Sequence, residues 1–199
     1  VGEKIGLLGG TFDPIHIAHV FMGRLAEEEL GLERVIYVPA GVPPHKEPGS
    51  VTAARHRLAM IKLAVGNERS LEVSDLELAR QATSYTIDTV RGLRRALKPE
   101  SRLYIIMGSD SLLEVDTWKE HEELMSLATL AVFPRPGYSV DAYHARGSKA
   151  VVVLASAGVG FDLCSSAIRE RVRRGKSIRY LVPGAVEEYI IREGLYREG

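Results

Sequence analysis

Short apolar runs alternate along this chain with longer stretches in which apolar residues recur every three or four positions. The runs Ile5–Leu8, Val35–Val38, Leu71–Val73, Leu103–Met107, Leu130–Phe133 and Val151–Leu154 have strand length and are apolar at nearly every position, as strands covered on both faces are. Between them, Ala18, Met22, Leu25 and Ala26 share one face at helical spacing, as do Leu58, Ile61 and Val65, and Val90, Leu93 and Leu97. Thr117 and Glu120 have capping-box spacing and predict a helix opening there. Ser84 or Thr86 can cap the helix that carries Val90. Ile168 and Val172 lie on one face of a helix that ends in a basic turn before Gly175, and Val186, Tyr189 and Ile190 face inward on a last helix.

Strands alternating with helices predict an α/β fold: a doubly wound, mostly parallel sheet with helices on both faces and a C-terminal helical segment. Such sheets bind ligands beyond the carboxyl ends of their strands. The loops after Leu8, Val38, Met107, Phe133 and Leu154 are therefore expected to carry the chemistry.

Composition narrows this picture. At 199 residues, with no internal repeat or low-complexity stretch, the chain is expected to form a single domain over 1–199, its helical end covering about 165–199. Lys and Arg total 26 and Asp and Glu total 26, so no global field draws a nucleic acid polymer or an anionic membrane. A polyanion would have to be held by a local cluster. Cys164 is the single cysteine, which excludes an intrachain disulfide and fits a reducing compartment. The N-terminus lacks the layout of a secretory leader, and no apolar run is long enough for a bilayer, so a cytoplasmic location is expected.

The loop after the first strand reads Gly9-Gly10-Thr11-Phe12-Asp13-Pro14-Ile15-His16-Ile17-Ala18-His19. Two glycines permit a tight turn and close approach of a ligand. The helix that follows offers free N–H groups and a partial positive charge, which suit phosphate. His16 and His19, three apart, point the same way and can donate to phosphate oxygens or to a leaving pyrophosphate. A zinc site is the alternative for such a pair, with Asp13 as the third ligand. Neither the Walker-type loop nor the Gly-x-Gly-x-x-Gly dinucleotide fingerprint is present here.

Gly-Gly-Thr-Phe-Asp-Pro-x-His-x-x-His resembles the signature of the nucleotidyltransferase superfamily that carries a His-x-Gly-His element. Within it, the string is most similar to the bacterial nicotinate mononucleotide adenylyltransferases. Ala18 stands where that family usually has Gly, adding a methyl near the phosphate approach. Other segments agree in order and placement. They are Pro43-Pro44-His45-Lys46, Ser84-Tyr85-Thr86, Gly108-Ser109-Asp110 with Trp118 beyond it, Arg135-Pro136-Gly137, Leu163-Cys164-Ser165-Ser166-Ala167-Ile168-Arg169, and the tail from Tyr180 to Tyr196. Taken singly, each has a plainer reading. Lys46 can be an exposed turn residue, Trp118 a half-buried core residue, Arg135 part of a turn, and the Arg171, Arg173, Arg174 run a solvated helix face.

The resemblance implies a Rossmann-like fold and adenylyl transfer from ATP to nicotinate mononucleotide. It makes His16, His19 and Arg169 catalytic. It places ATP against Gly9, Gly10, Thr11, Phe12, His16, His19, Gly108, Asp110, Ser165, Ser166 and Arg169. It places nicotinate mononucleotide against Asp13, Lys46, Tyr85, Thr86, Trp118 and Arg135. Tyr85 and Thr86 open a helix whose N–H groups suit a carboxylate and Trp118 can stack on a pyridine ring. The implied cofactor is Mg²⁺ brought with ATP, without a metal site of protein ligands. Cys164 replaces a family serine and is expected as a small buried residue. A homo-oligomer is compatible with this reading. Its rivals are an adenylyltransferase for another phosphate, such as phosphopantetheine or nicotinamide mononucleotide, and a non-catalytic nucleotide-binding module.

Overall fold

The computed structural model describes residues 2–43, 47, 49–80, 83–140, 150–155, 160 and 162–197. Six strands, β1 (Lys4–Gly10), β2 (Arg34–Pro39), β3 (Leu71–Val73), β4 (Arg102–Gly108), β5 (Thr129–Phe133) and β6 (Val151–Val153), form one sheet in the order β3-β2-β1-β4-β5-β6. Every pairing in it is parallel. The helices are α1 (Ile17–Leu30), α2 (Ala54–Val65), α3 (Thr86–Ala96), α4 (Ser109–Leu113), α5 (His121–Leu127), α6 (Ser165–Arg173) and α7 (Gly184–Arg192). None among the described residues is long and apolar enough to cross a membrane.

Because successive strand residues point to opposite faces, each central strand feeds two cores. Leu8, Val35, Tyr37, Tyr104, Ile106, Ala131 and Phe133 pack with α1, α2, α6 and α7 through residues such as Leu25, Met60, Ile61, Ile168, Val186 and Ile190. Ile5, Leu7, Ile36, Val38, Leu103, Ile105, Met107, Leu130 and Val132 pack with α3, α4 and α5 through Ile87, Val90, Leu112 and Leu124. This two-sided demand is why the strands read as continuous apolar runs. Pairing β1 with both β2 and β4 puts the topological switch between β1 and β4, so a crevice opens beyond their carboxyl ends.

Three local expectations are corrected. Thr117 caps no helix: it closes a short 3₁₀ turn over Val115–Thr117, its hydroxyl donates to the Glu114 carbonyl at 2.7 Å, and α5 starts only after Glu120, which sits at φ 52. Neither Ser84 nor Thr86 caps α3; the cap position is Tyr85, and the Ser84 hydroxyl instead accepts from the Gly41 N–H at 2.9 Å. On α2 the buried face is Arg57, Met60, Ile61 and Val65, while Leu58 is only half-buried.

Candidate active site

The loop between β1 and α1 is bent at Phe12, which has φ 51, a left-handed conformation that costs an L-residue roughly 1 kcal/mol or more. The Asp13–Pro14 peptide that follows is cis. The Phe12 ring is buried in the core, tilted on Tyr37 and edge-on to the His19 ring at 5.0 Å. Its carbonyl neighbours are pinned from outside the loop. Arg57 of α2 donates to the Thr11 carbonyl at 2.8 Å, Arg169 of α6 to the Asp13 carbonyl at 2.7 Å, and Ser165 to the Pro14 carbonyl at 2.9 Å. The buried Asp13 carboxylate accepts from the Tyr196 hydroxyl at 2.7 Å and from the Thr52 N–H at 3.2 Å. Phe12 and Asp13 thus face the interior and the chain's end, and what they offer the cleft is mainly backbone.

The histidines lie against each other, ring centroids 3.7 Å apart and planes 20° from parallel. The His16 N–H donates to His19 Nδ1 at 3.3 Å, which leaves the neutral His19 ring its proton on Nε2. Burial pushes His16 down to about 4, helped by the Arg135 guanidinium. Burial holds His19 well below the usual histidine range, and His16 and then Arg135 add to it. Both rings are therefore neutral at neutral pH, each with an N–H to donate. An anion brought beside them favours their protonated forms. Their stacking gives no convergence on a metal, and among the described residues no group of three His, Cys, Asp or Glu could hold one.

The α1 start is less open than its sequence suggests. The segment bridged at Arg179 and Val182 lies across it, and the Ile17 N–H donates to the Leu181 carbonyl at 3.1 Å. The first helical N–H expected to face phosphate is thereby used by the tail. At Gly9 a Cβ would meet nothing within 4 Å, so its backbone fronts open space. Helix α3 starts without a side-chain cap, and its first N–H groups have no partner within their own helix, whereas at the α6 start the Cys164 thiol lies against the Ala167 N–H and the N–H groups before it have no partner within the helix.

Beyond β4, the guanidinium of Arg135 donates to Asp110 at 2.6 Å, and the Arg135 N–H donates to the buried Ser109 hydroxyl at 2.9 Å. Gly108 lets this pair form, because a Cβ there would stand 2.3 Å from Asp110 Oδ1 and 2.8 Å from Arg135 Cδ. Residues expected to serve different substrates, Asp110 and Arg135, are partners here. At the far end Lys119 places its ammonium 4.7 Å over the Tyr85 ring and pairs with Asp88 at 3.3 Å. Trp118 is half-buried, part packed on the core and part lining the cleft.

All the site residues expected from sequence line one cleft, except Lys46, which with His45 lies outside the described residues. Its volume is about 800 Å³, enough for a nucleotide-sized ligand. Cys164 is corrected: it is exposed, not buried, and its thiol sits 3.1 Å from the Ser166 hydroxyl at the start of α6. Hydrogen bonds from Ser166 and the Ala167 N–H push that thiol's pKa down. Ala18 is buried at the cleft wall. Sequence reasoning missed Arg57, Thr52 and Tyr196. A basic residue inside an apolar helical pattern, as at Arg57, was the one signal available.

Residues 7–171 match the cytidylyltransferase-like family. The chain is 45% identical over 194 residues to a Thermus thermophilus protein described as a probable nicotinate-nucleotide adenylyltransferase, covering 98% of this chain and 100% of that one. A Desulfatibacillum aliphaticivorans protein of the same description is 37% identical over 217 residues, covering 97% and 99%. Among solved structures, the fold is similar to the Plasmodium falciparum nicotinic acid mononucleotide adenylyltransferase complexed with NaAD, with TM-score 0.84 at 20% identity over 98% of this chain and 97% of that one.

Proposed function

The chain belongs to the cytidylyltransferase-like family and, within it, to the nicotinate-nucleotide adenylyltransferases, and on that premise we propose that it transfers the adenylyl group of ATP to nicotinate mononucleotide. The products are nicotinate adenine dinucleotide and pyrophosphate, a step of NAD biosynthesis. The observation that carries this reading is one cleft in which two neutral imidazoles, the guanidiniums of Arg135 and Arg169, and the starts of α3 and α6 face the same space. NaAD, present with the Plasmodium falciparum neighbour, is the dinucleotide that such a transfer yields.

In this reading the acceptor 5′-phosphate attacks the α-phosphorus in line and pyrophosphate leaves, without a covalent enzyme intermediate. His16 and His19 donate to the triphosphate and stabilise charge at the bridging oxygen as it develops. Arg169 spends one N–H on the Asp13 carbonyl and keeps others for the β- and γ-phosphates, joined there by Ser165, Ser166 and the α6 start. The ribose of ATP lies toward Gly108 and Asp110, and an ATP hydroxyl on Asp110 competes with Arg135 for that carboxylate. Arg135 is then available to the acceptor phosphate, beside Lys46. At the other end, the N–H groups at Tyr85 and Thr86 face the nicotinate carboxylate, and Trp118 stacks on the ring. These donors suit the acid and leave the amide's NH₂ facing another donor.

A divalent cation brought with ATP, proposed as Mg²⁺, would supply charge neutralisation on the phosphates. The described donor set fits a cation that arrives on ATP rather than one caged by protein, since the cleft carboxylates Asp13 and Asp110 are already engaged, by Tyr196 and Thr52 and by Arg135. The whole chain 1–199 acts as one nucleotidyltransferase unit, because Tyr196 at its end bonds the loop at its beginning.

The test is product identity. Purified protein with ATP, Mg²⁺ and nicotinate mononucleotide is expected to give equimolar dinucleotide and pyrophosphate by mass spectrometry and coupled assay. ATP binding without dinucleotide would move the assignment to a nucleotide-binding module.

A further inference from the structure

Two residues that grip the loop after β1 stay out of the cleft. Arg57 is 2% exposed, and its guanidinium bridges two separate segments, donating to the Thr11 carbonyl at 2.8 Å and to the Thr52 carbonyl at 2.9 Å. Tyr196 reaches back from the end of the chain to donate its hydroxyl to Asp13 Oδ1 at 2.7 Å. Neither lines the cleft. A buried guanidinium is costly to desolvate and persists where its N–H groups are satisfied and a carboxylate is near, which Asp13 provides here.

The geometry points to Arg57 and Tyr196 as positioning residues for the adenylyl transfer, holding the loop after β1 in the conformation that presents His16 and His19. This deepens the function proposed above and rests on it. Phe12 has φ 51, and a residue held there needs neighbours that over-determine it. Arg57 fixes the carbonyl just before Phe12, and Tyr196 fixes the side chain just after it. The Phe12 ring in turn stands edge-on to His19 at 5.0 Å, and His19 stacks on His16 at 3.7 Å. Movement of the backbone at Thr11–Asp13 therefore displaces both imidazoles. Burial and Asp13 raise the Tyr196 phenol's pKa, so its hydroxyl remains a donor throughout the working range. Ser165 and Arg169 also hold this loop, but they line the cleft and face the ligand as well.

The experiment compares wild type with Tyr196→Phe and Arg57→Lys, assayed well below each protein's thermal midpoint. Each variant is expected to lose about tenfold in kcat while the KM for nicotinate mononucleotide stays within about twofold, as when a reacting group is misplaced rather than removed. In a double-mutant cycle with His19→Ala, the combined loss is expected to be smaller than the product of the single losses. Unchanged kcat in a folded variant, or fully multiplicative losses, overturns the proposal. So does failure of both variants to fold, which makes the network a fold element only. A wild type that makes no dinucleotide sinks the functional reading instead. The histidine ring resonances then decide for the loop. The His16 titration midpoint is expected near 4 in the wild type and closer to 6.5 in both variants, and a midpoint that is the same in all three overturns the proposal.

Discussion

At one end of the cleft, the loop Thr11–Pro14 is held by side chains from α2, α6 and the chain's end, and the side chains of Asp13 in it and His16 just after it are nearly inaccessible. At the other end, Trp118 is half-buried and Lys119 is exposed, and the visible contacts are a cation over the Tyr85 ring and exposed ion pairs with Asp88 and Glu120. The first arrangement is fixed before any ligand arrives. The second is held by contacts that water and salt weaken. The difference teaches where rate and selectivity reside. On the proposed mechanism charge develops beside the histidines, where the donors are fixed, whereas recognition of a flat ring would need only a surface to stack on and a few oriented N–H groups.

The strongest attempt to break this comparison is His19→Ala. It is expected to lower kcat by about a hundredfold or more with little change in acceptor KM, as removal of one preorganised donor does. Near-normal turnover would remove the histidines from the chemistry. Trp118→Ala should do the reverse, raising the KM for nicotinate mononucleotide about tenfold and leaving kcat within about threefold, because a lost aromatic stack is worth roughly 1 kcal/mol. A fall in kcat alone would place Trp118 in the core rather than in recognition.

The third prediction uses the histidines' burial. His16 is lowered to about 4 and His19 is lowered well below 6.5, so well above pH 6.5 neither holds a proton on both ring nitrogens in the folded or the unfolded chain. As pH falls below 6.5 the unfolded chain binds protons that the folded one does not, and stability is lost down toward pH 4. Substituting His16→Asn should remove its share, about 1 kcal/mol at pH 5.5, from the acid loss seen in thermal melts. A melt profile identical to wild type would mean that His16 is not held neutral. The smallest effect is expected of Lys119→Met. The residue is exposed and already ion-paired, so the KM for nicotinate mononucleotide should change by less than about threefold at physiological salt. A larger change would mean that the ring end relies on this charge.

The sheet was legible because strands buried on both faces leave continuous apolar runs, and each of the six runs is a strand. The cleft was legible because glycines, histidines and hydroxyls mark strand-to-helix loops. What stayed hidden depends on contacts distant in sequence. Nothing near Tyr196 says that it bonds Asp13, and nothing near Ile17 says that Leu181 takes its N–H. Thr117 misled because a capping-box spacing fits a turn as well as a helix start, and the left-handed Glu120 delays α5. Cys164 misled because its exposure is set by the place of α6 over the cleft, which local sequence does not encode.

The central claim is that fixed donors at one end drive the transfer while the α3 start and Trp118 choose the acceptor. Its most direct test is kcat/KM measured side by side with nicotinate mononucleotide and nicotinamide mononucleotide, ATP and Mg²⁺ saturating. The account predicts that the acid is preferred by about a hundredfold, as expected when an amide donor is forced against N–H donors. Equal use of both, or preference for the amide, would contradict it.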